Sequence, residues 1–295
     1  MRTCYVAFST AAGFNLAGKL CLPEGAMPAP AVLICHGSDG VDGRGEYYRQ
    51  SLNAAGIVTL EVDMWSARGM LRGAAARPRT PLETLDDAFS AKAFLAAQPE
   101  VNPSYIGIMG FSWGGVVTLL SATRDAVKRH DATPFRAHVA NYPVVWAYEV
   151  VPGLSLSNLT GAPILIQCGD ADGYDDPDGL DQLLTRLPQA SRSAIMAVTY
   201  PGACHGFDRD LPPQTINDPF AHKGQGGAVL MQFDPVAAKS AQLAVVAFFG
   251  QVLRPTHGDQ NEHQIRRRRP FNARPPGQAK SRTPSGWPTK PGETH

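Results

Sequence analysis

The chain contains few cysteines, five among 295 residues, at positions 4, 21, 35, 168 and 204. The number is odd, no two of them have the C-x-x-C spacing, and three of the five end apolar segments typical of strands. A free thiol at such a position packs as a small hydrophobic group. We therefore exclude a disulfide scaffold, and we expect no metal centre and no cofactor.

Long apolar runs and secretory features are absent as well. No segment approaches the roughly twenty consecutive apolar residues that a membrane-spanning helix requires. The N-terminus lacks the basic start and continuous apolar stretch of a secretory signal. The formal charge is only +1, and 43% hydrophobic residues suit one domain with a sizeable core. Together with reduced cysteines, these absences predict a cytoplasmic protein without a membrane partner.

A serine stands at the apex of a strand, tight turn and helix pattern. The apolar run 105–109 precedes the sequence GFSWGG at 110–115, and a helix-like stretch begins at Val116. This is the layout of a nucleophile elbow, in which backbone strain raises the serine hydroxyl above the sheet. A glycine-rich turn with a capping serine is the alternative, but it would not require a buried strand directly before it. The pattern predicts a nucleophile at Ser112.

Two candidate partners follow in the order serine, acid, histidine, which is the order of α/β-hydrolases. The apolar run 163–168 predicts a buried parallel strand, and an acid-rich loop follows it. A further strand is predicted at 194–200, and His205 lies in the glycine-flanked loop after it. Both loops come just past the carboxyl end of a strand, where open parallel sheets place ligand sites. Spacing alone leaves the acid open among four carboxylates: Asp170, Asp172, Asp175 and Asp176.

An early loop is a candidate for oxyanion binding. The apolar run 31–35 predicts a strand that ends in the sequence HGSDG at 36–40. A tetrahedral intermediate needs two donors, and one is the backbone N–H of the residue after the nucleophile, here Trp113. We expect the second donor to be the N–H of Gly37 or Ser38.

Strand-like and helix-like segments alternate along the chain. Extended segments are predicted at 5–9, 14–22, 31–35, 57–62, 105–110, 136–141, 163–168 and 194–200, and helices at 45–55, 82–97, 114–124, 178–187 and 235–250. The alternation predicts an α/β fold, the α/β-hydrolase fold, with a mostly parallel doubly wound sheet and an N-terminal antiparallel edge hairpin. Residues 206–233 are predicted to be a long loop that covers the site.

The composition changes after Leu253. Residues 254–295 contain nine of the 27 Lys and Arg, three of the 26 Asp and Glu, seven prolines and the block Arg266–Arg269. Such a segment cannot bury enough apolar surface to fold alone. We predict a catalytic domain at 1–253 and a dispensable disordered tail at 254–295. The alternative is a polyanion-binding protein that acts through this tail, whereas no nucleic acid is expected to bind the core.

Over roughly residues 5–250 the sequence resembles the dienelactone hydrolase family of α/β-hydrolases. The resemblance rests on HGSDG, EVDMWSARG, GFSWGG, CGDADGYDDP and YPGACHGFD, which start at His36, Glu61, Gly110, Cys168 and Tyr200. In that family the acid lies three residues after the glycine that ends its strand, which implies Asp172, and the HGF-type turn implies His205. Two arginines bind the substrate carboxylate in members that cleave dienelactone, which by position implies Arg209 and Arg68.

The sequence departs from the founding pattern of that family at two positions. The family nucleophile is usually a cysteine held by a glutamate, whereas here residue 112 is serine and the loop HGSDG contains no glutamate. Serine members resemble general carboxylic-ester hydrolases. The resemblance therefore implies a hydrolase of small-molecule esters or lactones that works through an acyl-enzyme. The alternative is a dienelactone-type lactone hydrolase acting on a carboxylate-bearing substrate.

Overall fold

A computed structural model describes residues 1–70 and 77–254. Its strands are β1 (Arg2–Ser9), β2 (Asn15–Leu22), β3 (Ala29–Cys35), β4 (Val58–Asp63), β5 (Val101–Phe111), β6 (His138–Asn141), β7 (Ile164–Gly169), β8 (Ile195–Tyr200), β9 (Gln214–Asp218) and β10 (Gly227–Met231). Its helices are α1 (Gly43–Ala54), α2 (Leu85–Ala96), α3 (Trp113–Ser121), α4 (Arg124–Arg129), α5 (Gly179–Arg186), α6 (Gln189–Arg192), α7 (Ala221–Gly224) and α8 (Pro235–Val252). Apart from Arg254, the predicted tail lies outside the described residues.

Eight strands form one sheet in the order β1-β2-β4-β3-β5-β6-β7-β8. The β1–β2 and β2–β4 pairs are antiparallel, and the remaining pairs are parallel. Strand β7 is buried along its whole length, whereas β1 at the edge alternates between exposed and half-buried residues. Strands covered on both faces are apolar throughout, and edge strands show alternation. The predicted mixed sheet with its antiparallel edge hairpin is confirmed.

The core lies on both faces of this sheet. Because successive side chains of a strand point to opposite faces, Leu33 of β3 joins the cluster beneath α2 and α3, whereas Val32 and Ile34 join the cluster beneath α1 and α8. On the second face, Tyr48 of α1 and Phe249 of α8 are fully buried. Helices on both faces hold the carboxyl ends of the parallel strands at one common edge.

The prediction of a long loop at 206–233 is wrong. This segment contains the antiparallel pair β9–β10 and the short helix α7. Each strand has only five residues, and most of them are exposed. Their inward-facing side chains Ile216 and Val229 pack in a small cluster with Tyr174. Strands of five residues are too short to give the periodic apolar pattern on which sequence-based prediction depends.

Candidate active site

Ser112 occupies a strained turn between β5 and α3, with φ 51° and ψ −112°. A Cβ on Gly110 would lie 2.2 Å from the carbonyl oxygen of Gly114, and a Cβ on Gly114 would lie 2.2 Å from that of Cys35. Both distances are far below van der Waals contact. The two glycines therefore allow β5, α3 and β3 to approach closely enough to form the turn.

His205 lies between Ser112 and Asp172. Its Nε2 atom is 2.9 Å from the Oγ atom of Ser112, and its Nδ1 atom is 2.7 Å from Oδ2 of Asp172. The second carboxylate oxygen of Asp172 accepts the N–H of Tyr174 at 2.9 Å. A carboxylate that accepts the Nδ1–H leaves Nε2 free to accept the serine proton. The arrangement has the geometry that a base-activated serine requires.

Hydrogen bonds distinguish Asp172 from the other carboxylates of the β7–α5 loop. Asp170 accepts a backbone N–H from the turn after β8 at 2.6 Å. Asp175 accepts the N–H groups of residues 145 and 146 at 2.9 and 2.7 Å. Burial and the nearby charge of Asp172 raise the pKa of Asp175 to about 7. Of the carboxylates that spacing alone left open, Asp172 is the one with a described hydrogen bond to His205.

Two tyrosines enclose the imidazole of His205. The ring centroid of Tyr174 lies 4.4 Å away, and that of Tyr142 lies 4.8 Å away with an edge-on orientation. The hydroxyl of Tyr142 donates to the buried Asp208 at 2.5 Å, and the hydroxyl of Tyr48 donates to its other oxygen at 2.7 Å. Asp208 follows His205 by three residues, so these bonds fasten the histidine loop to α1 and β6. No sequence motif indicated this network.

Two of the three residues expected to supply oxyanion donors lie at the same cavity as Ser112. Trp113 and Ser38 line the same cavity as Ser112, and Gly37 does not belong to the described lining. Gly37 instead forms a bridge with Gly40, whose N–H donates to its carbonyl at 3.1 Å. Within the described part of the chain, the N–H groups of Trp113 and Ser38 have no acceptor. Of the two alternatives for the second donor, Ser38 is the one that lines this cavity, whereas no described hydrogen bond engages the N–H of either residue.

His36 fixes the loop that carries Ser38. Its Nε2 accepts the N–H of Met64 at 2.9 Å, so the proton is on Nδ1, which donates to the carbonyl of Gly37 at 2.8 Å. Burial lowers the pKa of His36 to about 4, which keeps the ring neutral. The loop after β3 is thereby tied to the end of β4. The sequence of the loop alone did not indicate this role for His36.

A small cavity of about 70 Å³ opens at the Ser112 hydroxyl. Its described lining residues are Ser38, Arg77, Pro81, Ser112, Trp113, Val116, Val144, Ala147, Leu154, Tyr174 and Phe220. Arg77 was missed by sequence analysis because no motif surrounds it and its main partner, Asp218, is 141 positions away. Such a pair becomes visible only when the fold brings β9 to the cavity.

The architecture and site agree with a comparison to known families. The model of the dienelactone hydrolase family matches residues 16–253. This chain belongs to the dienelactone hydrolase family. It is therefore a hydrolase of esters or lactones by family, as the sequence resemblance implied.

Three relatives illustrate the similarity. A protein of Bradyrhizobium sp. named as a probable 2-oxo-3-(5-oxofuran-2-ylidene)propanoate lactonase is 28% identical over 189 residues, which cover 60% of this chain and 73% of the relative. A dienelactone hydrolase from Anabaena variabilis is 22% identical with a TM-score of 0.57, covering 86% of this chain and 99% of that one. Esterase 2 of Thermogutta terrifontis, phosphorylated by paraoxon, is 17% identical with a TM-score of 0.59, covering 86% and 96%. The two structures support the fold.

The structure does not bring Arg68 or Arg209, the arginines implied by the family resemblance, to the cavity at Ser112. Arg68 forms two hydrogen bonds of 2.7 and 2.9 Å with the buried Asp87 and stacks on Phe14 at 4.1 Å. Arg209 pairs with Asp39 at 2.9 Å and lines a different cavity. Nearby carboxylates therefore hold both guanidinium groups, and neither arginine is among the described residues that line the cavity at Ser112.

No helix within the described residues is long and apolar enough to cross a membrane. The same part of the chain contains no group of three or more His, Cys, Asp or Glu side chains arranged to hold a metal ion. The cytoplasmic location stays a prediction from sequence.

Proposed function

We propose that this protein is a serine hydrolase that cleaves carboxylic esters or lactones through an acyl-enzyme on Ser112. The observation that carries the proposal is the hydrogen-bonded chain from Asp172 through His205 to the Ser112 hydroxyl, at the mouth of a largely apolar cavity. A free serine hydroxyl is a weak nucleophile at neutral pH, and a base within hydrogen-bond reach supplies the activation that it needs.

Acylation begins when the Oγ atom of Ser112 attacks the ester carbonyl carbon. Nε2 of His205 takes the hydroxyl proton, and Asp172 stabilises the imidazolium that forms. The carbonyl oxygen becomes an oxyanion, which accepts hydrogen bonds from the N–H groups of Trp113 and Ser38. Each such donor is worth about 3 kcal/mol of transition-state stabilisation.

The tetrahedral intermediate collapses when its bond to the leaving oxygen breaks. His205 returns its proton to that oxygen, so an alcohol departs from an ester, whereas the opened chain of a lactone stays attached through the acyl group. Water then attacks the acyl-enzyme carbonyl while His205 removes its proton. The second collapse restores the Ser112 hydroxyl and releases the acid.

A lactone substrate is the second candidate. The Bradyrhizobium relative is named as a lactonase for a substrate whose name includes a carboxylate, propanoate. That likeness supports lactone cleavage as an activity to be tested, and it favours the dienelactone-type alternative from sequence analysis. The serine at position 112 and the absence of a glutamate from HGSDG support the broader ester class.

The proposal is tested by assaying the full-length protein and Ser112→Ala side by side on p-nitrophenyl acetate, p-nitrophenyl butyrate and cis-dienelactone. We expect the native protein to turn over at least one of them and Ser112→Ala to lose at least about four orders of magnitude in kcat. Comparable turnover by both proteins would refute a Ser112 acyl-enzyme.

We propose further that residues 1–253 form the catalytic unit and that residues 254–295 are accessory. A chain that ends at Arg254 should then retain the full ester turnover of the whole protein. If polyanions inhibited the whole protein and not the shortened chain, with a strong dependence on salt, the tail would have the binding role considered in the sequence analysis.

A further inference from the structure

Arg77 is the one charged side chain among the described residues that line the cavity at Ser112. Its guanidinium faces Asp218 in a two-bond arrangement, with Nη1 2.9 Å from Oδ2 and Nη2 2.8 Å from Oδ1. The side chains of Arg77 and Asp218 are only 8% and 1% exposed. Paired, parallel hydrogen bonds of this kind are the strong form of a charged contact. The positive charge in the cavity is therefore already compensated.

The guanidinium of Arg77 is also held on its other sides. Nη1 donates to the Oγ atom of Ser38 at 2.9 Å. The group lies over the ring of Trp113 at 5.6 Å and over that of Phe220 at 5.0 Å. A substrate carboxylate that approached Arg77 would therefore find both hydrogens of Nη1 already engaged, by Asp218 and Ser38.

Asp218 is fixed as firmly as its partner. It ends β9, and its Oδ1 atom accepts the N–H of Phe220 at 2.8 Å. Burial acts to raise the pKa of Asp218, but the hydrogen bonds from Arg77 and Phe220 outweigh burial and hold that pKa below its usual value. The carboxylate is thus ionised at neutral pH. A second carboxylate beside it would meet like-charge repulsion, which is strong because the side chains of Arg77 and Asp218 are largely buried.

The other described residues of the wall carry no charged side chain. It is formed largely by apolar side chains, namely Pro81, Val116, Val144, Ala147, Leu154 and Phe220. A volume of about 70 Å³ is well below the roughly 300 Å³ at which drug-sized ligand pockets begin. Only a short group fits such a space.

We propose that this cavity binds the acyl part of the ester and selects short, uncharged acyl groups, with the Arg77–Asp218 pair as the specificity determinant. The inference rests on the proposed ester hydrolysis and specifies its substrate class. Arg77 acts as a positioning residue that joins β9 to the Ser38 loop. Asp218 compensates the positive charge of Arg77, so that this charge does not attract anionic acyl groups. Carboxylate-bearing esters are accordingly poor substrates.

Two methyl esters with the same number of heavy atoms test the proposal, because they differ in the charge at the end of the acyl group. Monomethyl succinate ends in a carboxylate, and methyl 4-methylpentanoate ends in an isopropyl group with the same number of heavy atoms. Hydrolysis of both is followed by proton release at constant pH. The native protein should have a kcat/KM that is at least about tenfold higher for the neutral ester than for monomethyl succinate.

Asp218→Asn keeps the shape of the side chain but removes the charge that compensates Arg77. The preference for the neutral ester should then fall by at least about tenfold, because a carboxylate gains an unpaired cation as partner. The matched control is Asp176→Asn, which removes a carboxylate paired with Lys223 outside the cavity lining and should leave the ratio unchanged. The double variant Arg77→Met/Asp218→Leu removes both charges and should keep the preference for the neutral ester.

Different results would refute the Ser112 mechanism and the acyl selectivity of the cavity. Loss of hydrolysis of both esters in Ser112→Ala supports the serine mechanism, whereas the ratio of the two esters tests the cavity. Equal or faster hydrolysis of monomethyl succinate by the native protein would overturn the inference, and this comparison needs no variant to fold. An unchanged ratio in folded Asp218→Asn would overturn the role of the pair.

Discussion

The Nε2 atom of His205 lies 2.9 Å from the Oγ atom of Ser112, although 93 positions separate the two residues in the chain. Ser112 follows β5 and His205 follows β8, and two further strands lie between β5 and β8 in the sheet. The histidine loop must therefore reach back across the carboxyl edge of the sheet. The hydrogen bonds that Tyr48 and Tyr142 donate to Asp208 hold the histidine loop in that position.

Neutralising three of the carboxylates of the β7–α5 loop in turn should identify the one that orients His205. We expect Asp172→Asn to lower kcat by roughly three to four orders of magnitude, because the amide favours the wrong histidine tautomer. Asp170→Asn and Asp175→Asn are the matched controls and should each cost less than about tenfold, since neither side chain contacts His205. If Asp170→Asn lost most of its activity while Asp172→Asn remained active, Asp170 would be the carboxylate that orients His205.

Two Gly→Ala substitutions should have opposite effects on stability. Gly114→Ala places a Cβ 2.2 Å from the carbonyl oxygen of Cys35, so we expect the free energy of unfolding to fall by about 3 kcal/mol. Gly250→Ala, in α8, meets no atom within 4 Å and should raise it by about 0.5 to 1 kcal/mol, because alanine favours the helix. Urea unfolding measures both. Equal effects would contradict the close contact at the elbow.

Glu61→Gln should change how stability depends on pH. Burial and the charge of Asp42 raise the pKa of Glu61 to about 7, and the charge of Glu46 acts in the same direction. The positive charges of Lys19 and Arg49 lower this pKa but do not outweigh burial. The unfolded chain loses this proton near pH 4.5, so the native protein loses stability as the pH rises from about 4.5 to 7. Glutamine never ionises and escapes this loss.

The advantage of Glu61→Gln over the native protein should therefore grow by up to about 3 kcal/mol between pH 4 and pH 8. Urea unfolding at several pH values gives this difference directly. A difference that stays constant with pH, or shrinks as the pH rises, would show that Glu61 ionises normally in the folded protein.

Arg68→Met should reveal a structural role for Arg68. Asp87 is fully buried, and removing its partner leaves an uncompensated carboxylate, which costs about 3 kcal/mol of stability. Arg68→Met/Asp87→Leu should recover much of that loss, and neither variant should alter the preference between monomethyl succinate and its neutral counterpart. Unchanged stability combined with weaker binding of the anionic ester would restore the role implied by the family resemblance.

Local patterns were enough to predict the sheet and the residues at strand ends. Ser112 and His205 could be found because each follows a recognisable apolar strand, and the resemblance then selected Asp172. Arg77 and Asp218 could not be found, because their contact depends on the short strand β9 and on tertiary folding. Chain position implied a role for Arg209, but it cannot show that the carboxylate of Asp39 lies beside this guanidinium in space.

The site of a covalent adduct tests the acyl-enzyme on Ser112 most directly. Paraoxon transfers its phosphoryl group to an activated nucleophile and releases p-nitrophenolate, and mass spectrometry of the digested protein locates the modified residue. We predict the adduct on Ser112 of the full-length protein and none on His205→Ala under the same conditions. An adduct on Cys204 or any other residue, with ester turnover lost and Ser112 unmodified, would contradict the account.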